Sequence, residues 1–187
     1  MEDREQRLRE VARIAVALEA QTGCPAVLLI TQWAMESQWG AKPAGNFNVF
    51  GIKRAARHQK FCVVTTAEWF TEAQIADWNR RHPDRPARRT GRINGDKIEV
   101  QLDDFFADYD SLADACHDYA WLITEGKPYQ AAWLAYRNSR DLHALIEAVA
   151  KVYATSPSYA ALATAISSQS NVAQAIVAAR QGEPINA

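Results

Sequence analysis

PAVLLITQWAMESQWGAKPAGNFNVFGIK, residues 25–53, is the stretch from which the plan of this chain can be read. Pro25 suits the first position of a helix, where the amide it lacks would have had no partner. Val27, Leu28, Leu29, Ile30, Trp33, Ala34 and Met35 are apolar nearly all round, so the helix is expected inside the core. Glu36 ends that run, and Ser37, Gln38, Trp39 and a stopping Gly40 follow. A loop containing Pro43, Gly45, Asn46 and Asn48 then returns as NVFGIK. A carboxyl beside Trp33, Met35 and Trp39 is expected to lose hydration. That loss disfavours the anion and raises the pKa, as a general acid near neutral pH requires. The alternative is a helix-end glutamate facing water.

On the N-terminal side, residues 4–21 place Leu8, Val11, Ala12, Ile14, Ala15 and Leu18 on one helical face. On the other side, FCVVTT (61–66) reads as a strand and AEWFTEAQIADWN (67–79) as a short helix. RRTGRI and KIEVQL flank Asn94-Gly95, a hairpin signal. Beyond Asp110 the pattern is helical: 110–124, 129–136, 141–153, and a last alanine-rich helix opening at Ser156-Pro157. The expected class is α+β: one mostly helical domain over 1–187, with a β lobe at about 61–105 inserted after the acid-bearing helix.

The chain has 187 residues, 48% of them hydrophobic, enough for a core of its own. The net charge is −1, unevenly placed: residues 79–92 hold six arginines against one acid, Asp84, so this segment is +5. Two prolines within it and the balanced total speak against a nucleic-acid face. Solvation, or general attraction to anionic polymers, is the expectation instead. Cys24, Cys62 and Cys116 are widely spaced and read as buried or free thiols, and the four histidines are scattered, so no metal or other cofactor is expected. The N-terminus is charged rather than basic-then-apolar, and no 18-residue apolar run occurs. Neither a secretory signal nor a membrane span is expected.

ITQWAMESQWG followed by NVFGIK resembles the signature of the bacterial cell-wall N-acetylglucosaminidases, glycoside hydrolase family 73, which includes autolysins and flagellar hydrolase domains. Glu36, Ser37, Gly40, Asn48, Phe50, Gly51, Ile52 and Lys53 carry it. Phe106, Tyr109 and Ser111 resemble the family's Phe-x-x-Tyr-x-Ser. Tyr153, Ala154, Thr155, Pro157 and Tyr159 resemble its Tyr-Ala-Thr-Asp-Pro-x-Tyr, with Ser156 in place of Asp. The resemblance implies a lysozyme-like fold and cleavage of peptidoglycan glycan strands with Glu36 as general acid. It further implies that Trp39, Asn48, Phe50, Gly51, Tyr109 and Tyr159 shape the substrate site and that the Tyr153 hydroxyl faces substrate or the attacking water. The family's second glutamate lies after a Thr-rich strand, where VVTTAEW offers Glu68; Glu99, Asp103 and Asp104 are further candidates. Residues 70–98 form a longer insertion than the family's usual one.

On that resemblance the expected activity is an endo-β-N-acetylglucosaminidase, acting as a monomer on the wall after non-classical delivery from the cytoplasm. A phage lysis enzyme or an injected effector fits, the latter implying a cognate immunity protein. A muramidase or lytic transglycosylase on the same fold, and a non-catalytic glycan-binding module, are the alternatives.

Overall fold

The computed structural model describes residues 2–153 and 157–182, which form two compact units. The helical unit takes the chain up to Gly51 and again from Tyr109, and the β unit runs from Ile52 to Asp108.

In the helical unit, α1 (Glu2–Thr22) buries Leu8, Val11, Ala12, Ala15 and Leu18, the stripe its spacing implies. Helix α2 (Ala26–Glu36) packs against α1, α4 (Leu112–Glu125), α7 (Pro157–Ser167) and α8 (Ser170–Gln181). It buries Leu28, Leu29, Ile30 and Trp33, as an all-round apolar helix must. Pro25 stands one place earlier than expected. Its ψ of 129° is extended, which makes it the N-cap. Helices α5 (Gln130–Ser139) and α6 (Leu142–Tyr153) complete the unit. The last expected helix is two, because the chain breaks between α7 and α8. There the Ser167 and Ser168 hydroxyls both donate to the Thr164 carbonyl, and Gln169 turns extended. Serine side chains that compete for backbone partners favour such a break. Ser156, expected as the cap of α7, lies outside the described residues.

In the β unit, β1 (Phe61–Phe70), β2 (Arg88–Asn94) and β3 (Lys97–Ala107) form an antiparallel sheet in the order β1-β3-β2. The Asn94-Gly95 turn joins β2 to β3, with Gly95 at φ +63°. The expected helix over 67–79 is corrected. Ala67 to Phe70 continue β1, paired out to Phe70 opposite Ile98, and α3 spans Glu72–Arg81. Its start is fixed by a capping box: the Thr71 side chain accepts from the Gln74 amide, and the Gln74 side chain accepts from the Thr71 amide. Ile75 and Trp78 of α3 pack on Val100 and Leu102, with Phe70, Ala87 and Ile98 around them.

The arginine-rich segment is not a bare cationic loop. Arg80 and Arg81 pair with Asp77, and Arg85 with Asp104. Arg88 makes two bonds to Asp103, Arg89 two to Glu72, and Arg92 one to Glu99. Every acidic partner lies outside residues 79–92, which is why a count along the sequence overstates the local charge. All three cysteines are free, Cys24 and Cys116 buried. Among the described residues, no helix is long and apolar enough to cross a membrane.

Candidate active site

The end of α2 explains the spacing Glu-Ser-x-x-Gly. Ser37 Oγ donates to the Trp33 carbonyl at 2.6 Å and accepts from the Gly40 amide at 2.9 Å, which folds the chain back immediately after Glu36. The turn needs three consecutive left-handed residues, Gln38 (φ 52°), Trp39 (φ 61°) and Gly40 (φ 76°). A Cβ on Gly40 would lie 2.9 Å from the Trp33 ring, so the glycine serves close approach as well as conformation. Trp39 packs edge-on to Trp33, with ring centroids 5.9 Å apart. The Arg4 guanidinium lies 3.6 Å over its ring and Arg7 donates to its carbonyl.

The returning loop meets the acid. Asn48, Val49 and Phe50 are buried, and Asn48 and Ala44 exchange backbone hydrogen bonds. Phe50 stacks on Tyr119 of α4, with centroids 4.5 Å apart. The stack delivers Gly51 (φ +62°) so closely that a Cβ there would sit 3.3 Å from Glu36 Oε2. Gly51→Ala is therefore expected to combine left-handed strain of about 1–2 kcal/mol with crowding of the carboxyl. At about 2–4 °C per kcal/mol, melting should fall by several degrees and turnover with it. An unchanged melt and unchanged turnover would show that the approach is not required.

Glu36 is half-buried at the last turn of α2. Burial raises its pKa above the ordinary carboxylate value, and the hydrogen bond from Tyr159 pulls the other way. Tyr159 of α7 brings its hydroxyl to Glu36 Oε1 and to Gln32 Oε1, the latter at 3.0 Å. Burial, then the Glu36 carboxylate, push the Tyr159 phenol up. Tyr129 is pushed up to about 12 by burial and by Glu36. Tyr153 sits with its ring centroid 6.0 Å from Tyr129 and 6.4 Å from Tyr119, and its enclosed hydroxyl finds no partner among the described residues. Tyr109 donates to Asp118 at 2.6 Å. Glu36, Gly51 and Tyr159 thus meet at one point, with Phe50 behind the loop that carries Gly51. The residue missed in the sequence is Gln32. Its signal was a lone amide in an apolar helix, one turn before Glu36 and so on the same face.

Glu68 belongs to the β unit. It stands on β1 opposite Val100, on the sheet face that α3 covers, and is exposed. Its carboxylate makes no ion pair or hydrogen bond among the described residues. The other carboxylates considered for the second role are tied. Asp103 is held by Arg88 and Thr65, Asp104 by Lys53 and Arg85, and Glu99 by Thr90 and Arg92. All three have lowered pKa values. Hydrogen bonds from Arg88 dominate at Asp103 and from Thr90 at Glu99, while at Asp104 burial pushes upward and is outweighed by Lys53, the Phe105 amide and Arg85 together.

The sequence profile of the glucosaminidase family, described as mannosyl-glycoprotein endo-β-N-acetylglucosaminidase, matches residues 12–172. The chain is 30% identical over 169 residues to the peptidoglycan hydrolase FlgJ of Salmonella typhimurium, covering 87% of this chain and 44% of that protein. The chain thus spans less than half the length of that relative. A C-terminally truncated glycoside hydrolase domain of the same FlgJ superposes with a TM-score of 0.54 at 26% identity, over 88% of this chain and 93% of that one. The catalytic domain of an autolysin from Listeria monocytogenes superposes at 0.65 and 21% identity, over 92% and 86%, a likeness of fold. The matched span takes in Gln32, Glu36, Gly51, Glu68 and Tyr159 alike, and on that match the chain belongs to the glucosaminidase family of glycoside hydrolases.

Proposed function

We propose that the chain is an endo-β-N-acetylglucosaminidase that cuts the β-1,4 bond on the reducing side of N-acetylglucosamine in peptidoglycan glycan strands. The observation that carries this reading is the half-buried Glu36 carboxyl, which burial inclines to keep its proton and Tyr159 holds in place. Such a group delivers its proton to the glycosidic oxygen, so that the leaving sugar departs as a neutral alcohol. Water then adds to the oxocarbenium-like carbon as its proton passes to the group that activates it, and Glu36 takes up a fresh proton from solvent. For the group that activates the water, Glu68 is the residue proposed, because arginine or lysine already neutralises each of its rivals in the β unit. Trp39, Asn48 and Tyr109 belong to this reading as residues shaping the substrate site; the Tyr153 hydroxyl, enclosed in the substrate-free protein, is not placed to meet substrate or the attacking water as the resemblance implies.

The role extends to a monomer delivered to the wall as a phage lysis enzyme or an injected effector, the latter with a cognate immunity protein in its producer. The test of the cleaved bond is a digest of purified peptidoglycan, reduced with borohydride and read by mass spectrometry. Reduced N-acetylglucosamine ends are the expected products. Reduced or anhydro-muramic ends would transfer the activity to the neighbouring bond and overturn the assignment. Glycan bound but uncut would overturn it in favour of a binding module.

A further inference from the structure

Gln32 is the one amide in the apolar body of α2, fully buried at 0% exposure, and its Nε2 finds no partner among the described residues. Its Oε1 lies 3.0 Å from the Tyr159 hydroxyl, which also reaches Glu36 Oε1. A phenol carries one hydrogen and faces here two acceptors, so it can donate to only one of them at a time. We propose that Gln32 is a positioning residue for the acid: its side-chain oxygen competes with Glu36 for the single hydrogen of Tyr159. This inference rests on Glu36 being the proton donor.

With the hydrogen turned to Gln32, the Tyr159 oxygen presents a lone pair to Glu36, which suits a protonated carboxyl. When Glu36 gives up its proton, the same hydroxyl turns back and donates to the new carboxylate. Gln32 thus supplies the tyrosine with a second place to point while the acid is loaded, and an otherwise apolar helix keeps a buried amide whose nitrogen goes unpartnered. Without Gln32, Tyr159 donates to Glu36 permanently and favours the anion before substrate arrives. A buried polar group of this kind is costly, and a leucine or methionine at this site would fill the core more cheaply.

The other groups around this end of the unit do not set the competition. Arg4 and Arg7 of α1 are engaged on Trp39, and Glu19 pairs with Arg180 of α8 and meets the Ala26 amide at the far end of α2. Asp118 of α4 is bonded by Tyr109. Tyr119, Tyr129 and Tyr153 remain, all with phenols pushed up and so neutral.

The experiment is a titration of Glu36 in the substrate-free protein, followed by NMR of carboxyl-labelled glutamate and assigned with E36Q, for wild type, Q32M and Q32E. Because no substrate is present, the titration reads Glu36 whether or not the chain proves to cut peptidoglycan. Q32M is expected to move the midpoint to lower pH, with proton affinity roughly threefold to tenfold weaker, the worth of one hydrogen bond. Q32E keeps the oxygen acceptor and adds a like charge, so its midpoint is expected at or above that of wild type. In a Tyr159→Phe background, Q32M should no longer move the midpoint. A Gln32 that merely fills space would lower melting in Q32M and leave the titration in place, and that result overturns the proposal. So does an upward move in Q32M, which would put the amide nitrogen rather than the oxygen against Tyr159. Should Q32M not fold, a Q32E midpoint below wild type overturns it equally.

Discussion

Glu36→Gln is expected to reduce turnover of peptidoglycan by about 10²–10⁴-fold, the usual worth of a positioned proton donor, while leaving the fold intact. The amide retains the shape of the carboxyl and an acceptor for Tyr159, but has no proton to give. Folding provides a second, independent reading. The pKa of Glu36 is raised in the folded protein, chiefly by burial, so the unfolded chain ionises at lower pH than the folded one. A carboxyl of this kind penalises folding as pH climbs past its ordinary value of 4.5, and the penalty is complete above the folded value. Glu36→Gln removes that penalty. Its melting temperature is therefore expected at or above that of wild type at pH 7–8, with the gap closing below pH 4.5. Turnover within tenfold of wild type would remove Glu36 from the role of acid. A variant that melts well below wild type at neutral pH would contradict the burial argument.

Phe50→Ala is expected to destabilise the helical unit by about 3–5 kcal/mol, the cost of emptying an aromatic core position. Phe50 is fully buried and stacked on Tyr119, so the alanine leaves both a cavity and a broken ring pair. Against a total stability of about 5–15 kcal/mol this is a large fraction. At about 2–4 °C per kcal/mol, calorimetry should show melting lower by roughly 6–20 °C. Turnover should fall even where the variant remains folded, because the same stack holds Gly51 against Glu36. Phe50→Leu keeps an apolar filler and should lie between the two proteins. A melting point within about 2 °C of wild type for Phe50→Ala, the shift expected for less than 1 kcal/mol, would show that this loop is not anchored by the stack.

The parts of the structure that depend on neighbours in sequence were readable beforehand. The apolar run of α2, its end at Glu36 and the Asn94-Gly95 turn each announce themselves within a few residues. The boundary of α3 was also written in the chain, in Thr71-Glu72-Ala73-Gln74. The aromatic and apolar residues before it suggested an earlier helix, and cross-strand pairing with β3 claimed them instead. The bond from Tyr159 to Glu36 joins residues 123 apart in sequence, so no local rule points to it. The acids that meet the six arginines come from α3 and β3, and only the closed sheet and its helix bring them together. Gln32 was hidden for a different reason. Periodicity marks which residues are buried, and says nothing of what a buried amide is for.

The position of Glu36 as the last residue of α2 bears on how the site behaves as substrate enters and leaves. Peptide dipoles along a helix sum to a partial negative charge at its C-terminal end, where an anion is disfavoured by about 0.3–1 kcal/mol. The amides of Ser37 and Trp39 cover the Trp33 and Ala34 carbonyls, which tempers this field without cancelling it. Exclusion of water varies with occupancy, whereas the axis of α2 is fixed in the core. Part of the tendency of Glu36 to hold its proton is thus built into the backbone and persists when the site is open and wet.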